Sequence, residues 1–110
     1  MGPSEWIYLN GRICRAEEAV ISPFDRGFLF AHAAYEVTAV FDGKLIDFEG
    51  HVARLQRTLT GIDIITDWSD EQLEYIHKEL VRRNRLTEGF VYFQVSGGAY
   101  GARDFAGPET

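Results

Sequence analysis

Cysteine is almost missing from this 110-residue chain: Cys14 stands alone, which excludes an internal disulfide and a cysteine-built zinc site. His32, His51 and His77 have no metal-ligand spacing with it, so no metal is expected. Lysine is scarce, confined to Lys44 and Lys78. Basic charge is short too: a net charge of −6 and a pI near 4.9 oppose nucleic acid and anionic membranes as partners, although a local basic patch can still hold one phosphate group. No apolar run approaches the roughly 20 residues of a membrane span. The start, "MGPSEWIYL", lacks the basic head and long apolar core of a secretory signal, and Trp6 stands where a myristoylation motif needs Ser or Thr. These absences read as a soluble, cytoplasmic protein. There is also no Ser/His/Asp set, Walker loop or dinucleotide glycine fingerprint, and "GGAYG" follows a strand pattern without a helix to complete a phosphate cradle.

What is present builds one modest domain over residues 1–110, with 45% hydrophobic residues and 14% aromatics to form a core. Asn10-Gly11 and Asp42-Gly43 each separate two β-favouring runs, the dipeptides that a type I′ hairpin turn selects because both central residues take positive φ. In the long strand ending at Phe41, Tyr35, Val37, Ala39 and Phe41 share one face and Glu36, Thr38 and Val40 the other. A short strand from Lys44 to Phe48 follows. From about Glu49 the period becomes helical, with Val52, Leu55, Leu59 and Ile62 in one stripe and Arg54, Gln56 and Arg57 off it. A second helix opens on the capping-box pair Ser69 and Gln72, is striped by Leu73, Ile76, Leu80 and Val81, and closes on Arg82 and Arg83. "GFVYFQVSGG" reads as a buried strand and "AYGARDFAGPET" as a loop. The order is hairpin, loop, hairpin, two helices, strand, which makes an α+β fold with two helices on an antiparallel sheet. A glycine-rich ending directly after a strand reads as a larger protein cut short.

Taken singly, the polar side chains have ordinary explanations. Tyr35 is a half-buried strand tyrosine, Arg54 a solvated arginine or one paired with Glu36 or Glu49, and Arg103 an exposed loop residue. The histidines are surface or packing positions. Lys44 lies beside a turn and Lys78 on an acidic helix face, so neither shows the pocket that Schiff-base work needs.

In combination they say more. "YLNGRI…DRGFLF…AYEVTAVFDGKLIDFEGHVARL…VYFQVSGG", from Tyr8 to Gly98, resembles the amino-terminal domain of the class IV (fold-type IV) pyridoxal-phosphate aminotransferases, the fold of D-amino acid aminotransferase, branched-chain aminotransferase and aminodeoxychorismate lyase. "YEV", "FDGK" and "HVARL" are most similar to the D-amino acid aminotransferase branch. The resemblance implies that Arg54, in the H-x-x-R-L helix, binds the phosphate of pyridoxal 5'-phosphate, and that Tyr35 and Arg103 contact the substrate carboxylate. Phe105 stands where that branch carries a histidine two residues after the arginine, and Ala31, His32 and Ala33 replace the usual Gly-Asp-Gly. The resemblance further implies amino acid and 2-oxo acid substrates, a homodimer, and a carboxyl-terminal domain supplying the lysine that anchors the cofactor, so that residues 1–110 include no catalytic residue and are inactive alone. The alternatives are a branched-chain aminotransferase or aminodeoxychorismate lyase of the same fold, or a non-catalytic binding or assembly module. Tyr35 and Arg54 are expected to face one cleft, and Phe28, Phe30, Phe93 and Tyr100 to be exposed.

Overall fold

The computed structural model describes residues 5–99. Arg103, Phe105 and Tyr100 lie outside that range. Strands β1 (Trp6–Leu9) and β2 (Arg12–Arg15) lead through a single 3-10 turn to the short helix α1 (Arg26–Phe30). Then come β3 (Ala33–Phe41), β4 (Lys44–Leu45), α2 (Phe48–Gly61), α3 (Asp70–Arg83) and β5 (Glu88–Ser96). β1 and β2 pair antiparallel as a two-stranded sheet, and a second sheet has the order β4-β3-β5, so the fold is α+β, with two sheets among the described residues where the sequence reads as one. Both hairpin turns have the left-handed residues that their sequences require: φ is 50° and 96° at Asn10 and Gly11, and 53° and 72° at Asp42 and Gly43.

Two elements differ from the sequence reading. β4 stops at Leu45 because Asp47 takes φ 53°, which breaks an extended run, and Phe48 becomes the first residue of α2. α1 replaces part of a predicted loop. Asp25 caps it by accepting from the Gly27 amide at 2.8 Å, and Ala31 closes it in the left-handed region at φ 56°, ψ 26°. That is the conformation a glycine accepts more readily than an alanine.

The described residues fall into two units. The first comprises 5–20, 38–48 and 68–91. Here Val40, Val81 and Val91 form the core, with Leu45 and Leu86 packed against it, and Phe48 meets the buried His77 ring edge-on at 5.0 Å. Asn84, the last-turn cap of α3, accepts from the amides of Glu5 and Trp6 at 3.0 Å and donates to the carbonyls of Trp6 and Leu80, tying the helix end to β1. The Arg82 and Arg83 pair that closes α3 reaches back to Glu79.

The second unit comprises 21–37, 49–67 and 92–99. Val52, Leu55 and Leu59 bury one stripe of α2, as their spacing predicts, and Ala34 and Glu36 of β3 are buried. α1 is stitched to the end of β5: Ser96 Oγ donates to Asp25 Oδ2 at 2.9 Å, and the Arg26 amide donates to the Gly98 carbonyl at 2.8 Å. His32 Nε2 donates to the Ile62 carbonyl at 2.8 Å, which leaves Nδ1 to accept from Arg26 Nε at 3.3 Å. The Gly97 amide donates to the His32 carbonyl, and a Cβ at Gly97 would collide with the imidazole.

β3 alternates strictly, with Ala34, Glu36, Thr38 and Val40 buried while Tyr35, Val37, Ala39 and Phe41 are exposed. β5 is likewise covered on one side only, Phe90 and Tyr92 being exposed, and is not the fully buried strand that its sequence reads as. Of the aromatics expected outside, Phe28 is exposed, whereas Phe30 and Phe93 are half-buried. No helix among the described residues is long and apolar enough to cross a membrane. Replacing Ala31 with Gly is expected to raise stability by about 0.5–1 kcal/mol, because the relief of a left-handed alanine exceeds the entropy gained by the unfolded chain; urea denaturation of the two proteins measures it.

Candidate active site

The first turns of α2 place His51 and Arg54 three residues apart, hence on neighbouring positions of one helix face, beside the buried Val52 and Leu55. Glu36 comes from the covered face of β3. Its carboxylate is buried and receives three hydrogen bonds. Arg54 Nε donates to Oε2 and Arg54 Nη2 to Oε1, both at 2.7 Å, and His51 Nδ1 donates to Oε1 at 2.6 Å.

The two arginine contacts form a fork in which guanidinium and carboxylate meet edge to edge. With its Nε and Nη2 engaged, the guanidinium keeps its Nη1 end without a partner among the described residues, on a side chain that is 62% exposed. An acid anchors the arginine from below and the open end meets solvent. Because an ionised carboxylate only accepts, His51 must carry its proton on Nδ1, which turns Nε2 outward as the second ring nitrogen.

Arg54 hydrogen bonding, opposed by burial and assisted by His51, holds Glu36 at a pKa of about 2, against an ordinary 4.5. Arg54 is raised in turn, first by its hydrogen bonds to Glu36 and then by the Glu36 charge, with Tyr35 adding to the effect.

Tyr35 precedes Glu36, so its side chain leaves the opposite face of the strand. Its ring lies exposed and stacked on Tyr92, with centroids 5.4 Å apart and planes 17° apart, and Tyr92 donates its hydroxyl to Gln94 Oε1 at 2.7 Å. Tyr35 therefore leaves β3 on the face opposite Glu36, the carboxylate that Arg54 holds. Lys78 is exposed and paired with Glu74 at 3.2 Å, and Lys44 is exposed beside its turn. The sequence names Glu36 as one of two acids that Arg54 could choose. His51 has no role in the sequence reading, although its i, i+3 relation to Arg54 is a signal for one.

The donor set suits a phosphate group: a permanently charged, planar donor with one end open and its other edge held by a buried acid. Residues 33–110 match the family profile of amino-transferase class IV. D-alanine aminotransferase of Listeria monocytogenes serotype 4b is 30% identical over 103 residues, 94% of this chain and 36% of that protein. D-alanine aminotransferase of Staphylococcus aureus (strain MSSA476) is 34% identical over 94 residues, 86% of this chain and 33% of that protein. Among solved structures, the branched-chain amino acid aminotransferase from Escherichia coli superimposes with a TM-score of 0.89 at 18% identity, covering 96% of this chain and 37% of that one. The T.th. branched-chain amino acid aminotransferase with pyridoxamine 5'-phosphate gives 0.85 at 21% identity over 91% of this chain and 34% of that one. The chain spans about a third of the length of the curated relatives it matches.

The Glu36 network predicts an acid dependence of stability. A carboxylate whose pKa is depressed on folding stabilises the fold fully above the unfolded value of 4.5 and loses that contribution as pH falls through about 2. After allowance for the exposure of Arg54, the contribution is on the order of 2 kcal/mol. Chemical denaturation of the parent and of Glu36→Gln should differ most at neutral pH and converge as pH falls from 4.5 towards 2.

Proposed function

We propose that this chain, which belongs to the class IV aminotransferase family, is the amino-terminal domain, residues 1–110, of a pyridoxal-phosphate-dependent aminotransferase that moves the amino group of a D-amino acid to a 2-oxo acid. The observation that carries the reading is the open guanidinium end of Arg54, anchored by the buried carboxylate of Glu36 inside the segment that matches the family. Arg54 holds the cofactor phosphate. When bound, the cofactor supplies the electron sink for amino transfer. Tyr35, propped by its stack on Tyr92, offers its hydroxyl to the substrate carboxylate, and Arg103 supplies a second, cationic contact to the same group.

Lys44 and Lys78 are both exposed, Lys78 in an ion pair with Glu74, and neither has the desolvated setting that a cofactor-anchoring lysine needs. That role falls to a lysine outside these residues, so this domain contributes binding and positioning to a site completed elsewhere in a cytoplasmic, homodimeric enzyme. Sequence likeness to D-alanine aminotransferases at 30% and 34% identity favours the D-amino acid branch, whereas the branched-chain structures share only the fold at 18% and 21% identity.

Transamination by the full-length protein, with D-alanine compared against L-leucine as amino donor and a 2-oxo acid as acceptor, tests the assignment. Turnover of D-alanine is expected, and turnover of L-leucine alone would move the protein to the branched-chain branch. Arg54→Ala should weaken cofactor affinity roughly ten- to a hundred-fold, the worth of a charge-assisted hydrogen bond. Tyr35→Phe should lower turnover and leave cofactor affinity nearly unchanged. Equilibrium titration with pyridoxal 5'-phosphate beside steady-state kinetics separates the two effects.

A further inference from the structure

Glu36 raises a question that the phosphate reading of Arg54 does not answer. A buried anion directly behind an arginine offsets part of the attraction that arginine could offer a second anion, so on charge alone Glu36 should weaken phosphate binding. It is nonetheless gripped by both Arg54 and His51.

The geometry resolves the conflict. Arg54 is a long side chain with most of its surface in solvent, and unheld it would spread over many rotamers. The fork to Glu36 fixes both the direction and the rotation of the guanidinium plane, because two parallel bonds at 2.7 Å admit only one relative orientation. Glu36 can serve as an anchor because it is itself buried, on the covered face of β3 with the buried Ala34 and Thr38. His51, on the same helix face as Arg54, donates to Oε1, the oxygen that also receives Nη2, and so fixes the carboxylate plane from a second side.

We infer that Glu36 and His51 are positioning residues for phosphate recognition: Glu36 presents the Nη1 end of Arg54 in a single orientation, and His51 locks the carboxylate that does so. What is gained is preorganisation, since the side-chain entropy of Arg54 is surrendered on folding and not on binding. The gain outweighs the charge that Glu36 cancels. This inference rests on the reading of Arg54 as the phosphate contact.

The test uses full-length apoprotein titrated with pyridoxal 5'-phosphate and, in parallel, with pyridoxal, which shares every group except the phosphate. Positioning acts on the ratio of the two affinities, whereas a merely structural role moves both together. Glu36→Gln removes a negative charge next to the phosphate, so electrostatics alone predicts tighter pyridoxal phosphate binding. The expected result is the reverse: about tenfold weaker binding of pyridoxal phosphate with pyridoxal unchanged. His51→Gln, which leaves the carboxylate both arginine donors, should shift the ratio the same way by about fivefold, the worth of one hydrogen bond, and carries the test should Glu36→Gln not fold. An unchanged or increased ratio in these variants, with Arg54→Ala still lowering it, overturns the positioning role alone. A ratio that Arg54→Ala fails to lower overturns the phosphate reading itself.

Discussion

A buried carboxylate must be paired or lose its charge, and in this protein that constraint fastens one strand to one helix. Glu36 sits on the covered face of β3, where neighbouring positions are Ala34 and Thr38, and its compensation comes from the first turns of α2. The strand position and the helix rotation are therefore coupled. Slipping β3 by one residue would bring Tyr35 or Val37 to face His51 and Arg54, leaving both donors without an acceptor and the acid in solvent. The same pairing that secures the packing gives the guanidinium its direction, so the packing and that direction depend on one set of three hydrogen bonds.

The two faces of β3 divide the labour. The covered face holds Ala34, Glu36, Thr38 and Val40, and the other presents Tyr35, Val37, Ala39 and Phe41 outward. An outward row of that composition is unusual for a solvent-facing strand, where polar residues ordinarily alternate with the buried ones. Within it, the Tyr35 ring is stacked on Tyr92. Polar backbone groups at the ends of the elements receive equal care. Asn84 satisfies two amides and two carbonyls at the foot of α3, and His32 takes the carbonyl of Ile62 just beyond α2. Each uses one planar side chain to close a place where a helix ends without further helical partners.

Several devices that shape this scaffold have causes confined to a few neighbouring residues. The hairpin turns at Asn10-Gly11 and Asp42-Gly43, the capping box at Ser69 and Gln72, and the apolar stripe of α2 are all of this kind. Ala31 shows that the scaffold tolerates departures: a left-handed helix end that suits glycine is occupied here by alanine, and the fold absorbs the strain.

The elements whose causes are local were legible from the amino-acid order alone. Positive φ at the two hairpin turns, the capping box, and the change of period from two to 3.6 at the start of α2 follow from a few adjacent residues, and they sufficed for an α+β fold, whereas Tyr35 and Arg54 became candidates only through the resemblance that the combined motifs carry. Elements whose causes are distant were not. α1 depends on Ser96 and Gly98 holding Asp25 and Arg26 from far along the chain, and the separation into two sheets depends on which strands find each other. Arg54 could be suspected of choosing Glu36 or Glu49, and only the packing of α2 against β3 selected Glu36. His51 acquired its part in the same way. A helix face and a strand face each state their own pattern in sequence, but which residues of one meet which residues of the other is decided by how the two surfaces pack, and that information exists only in three dimensions.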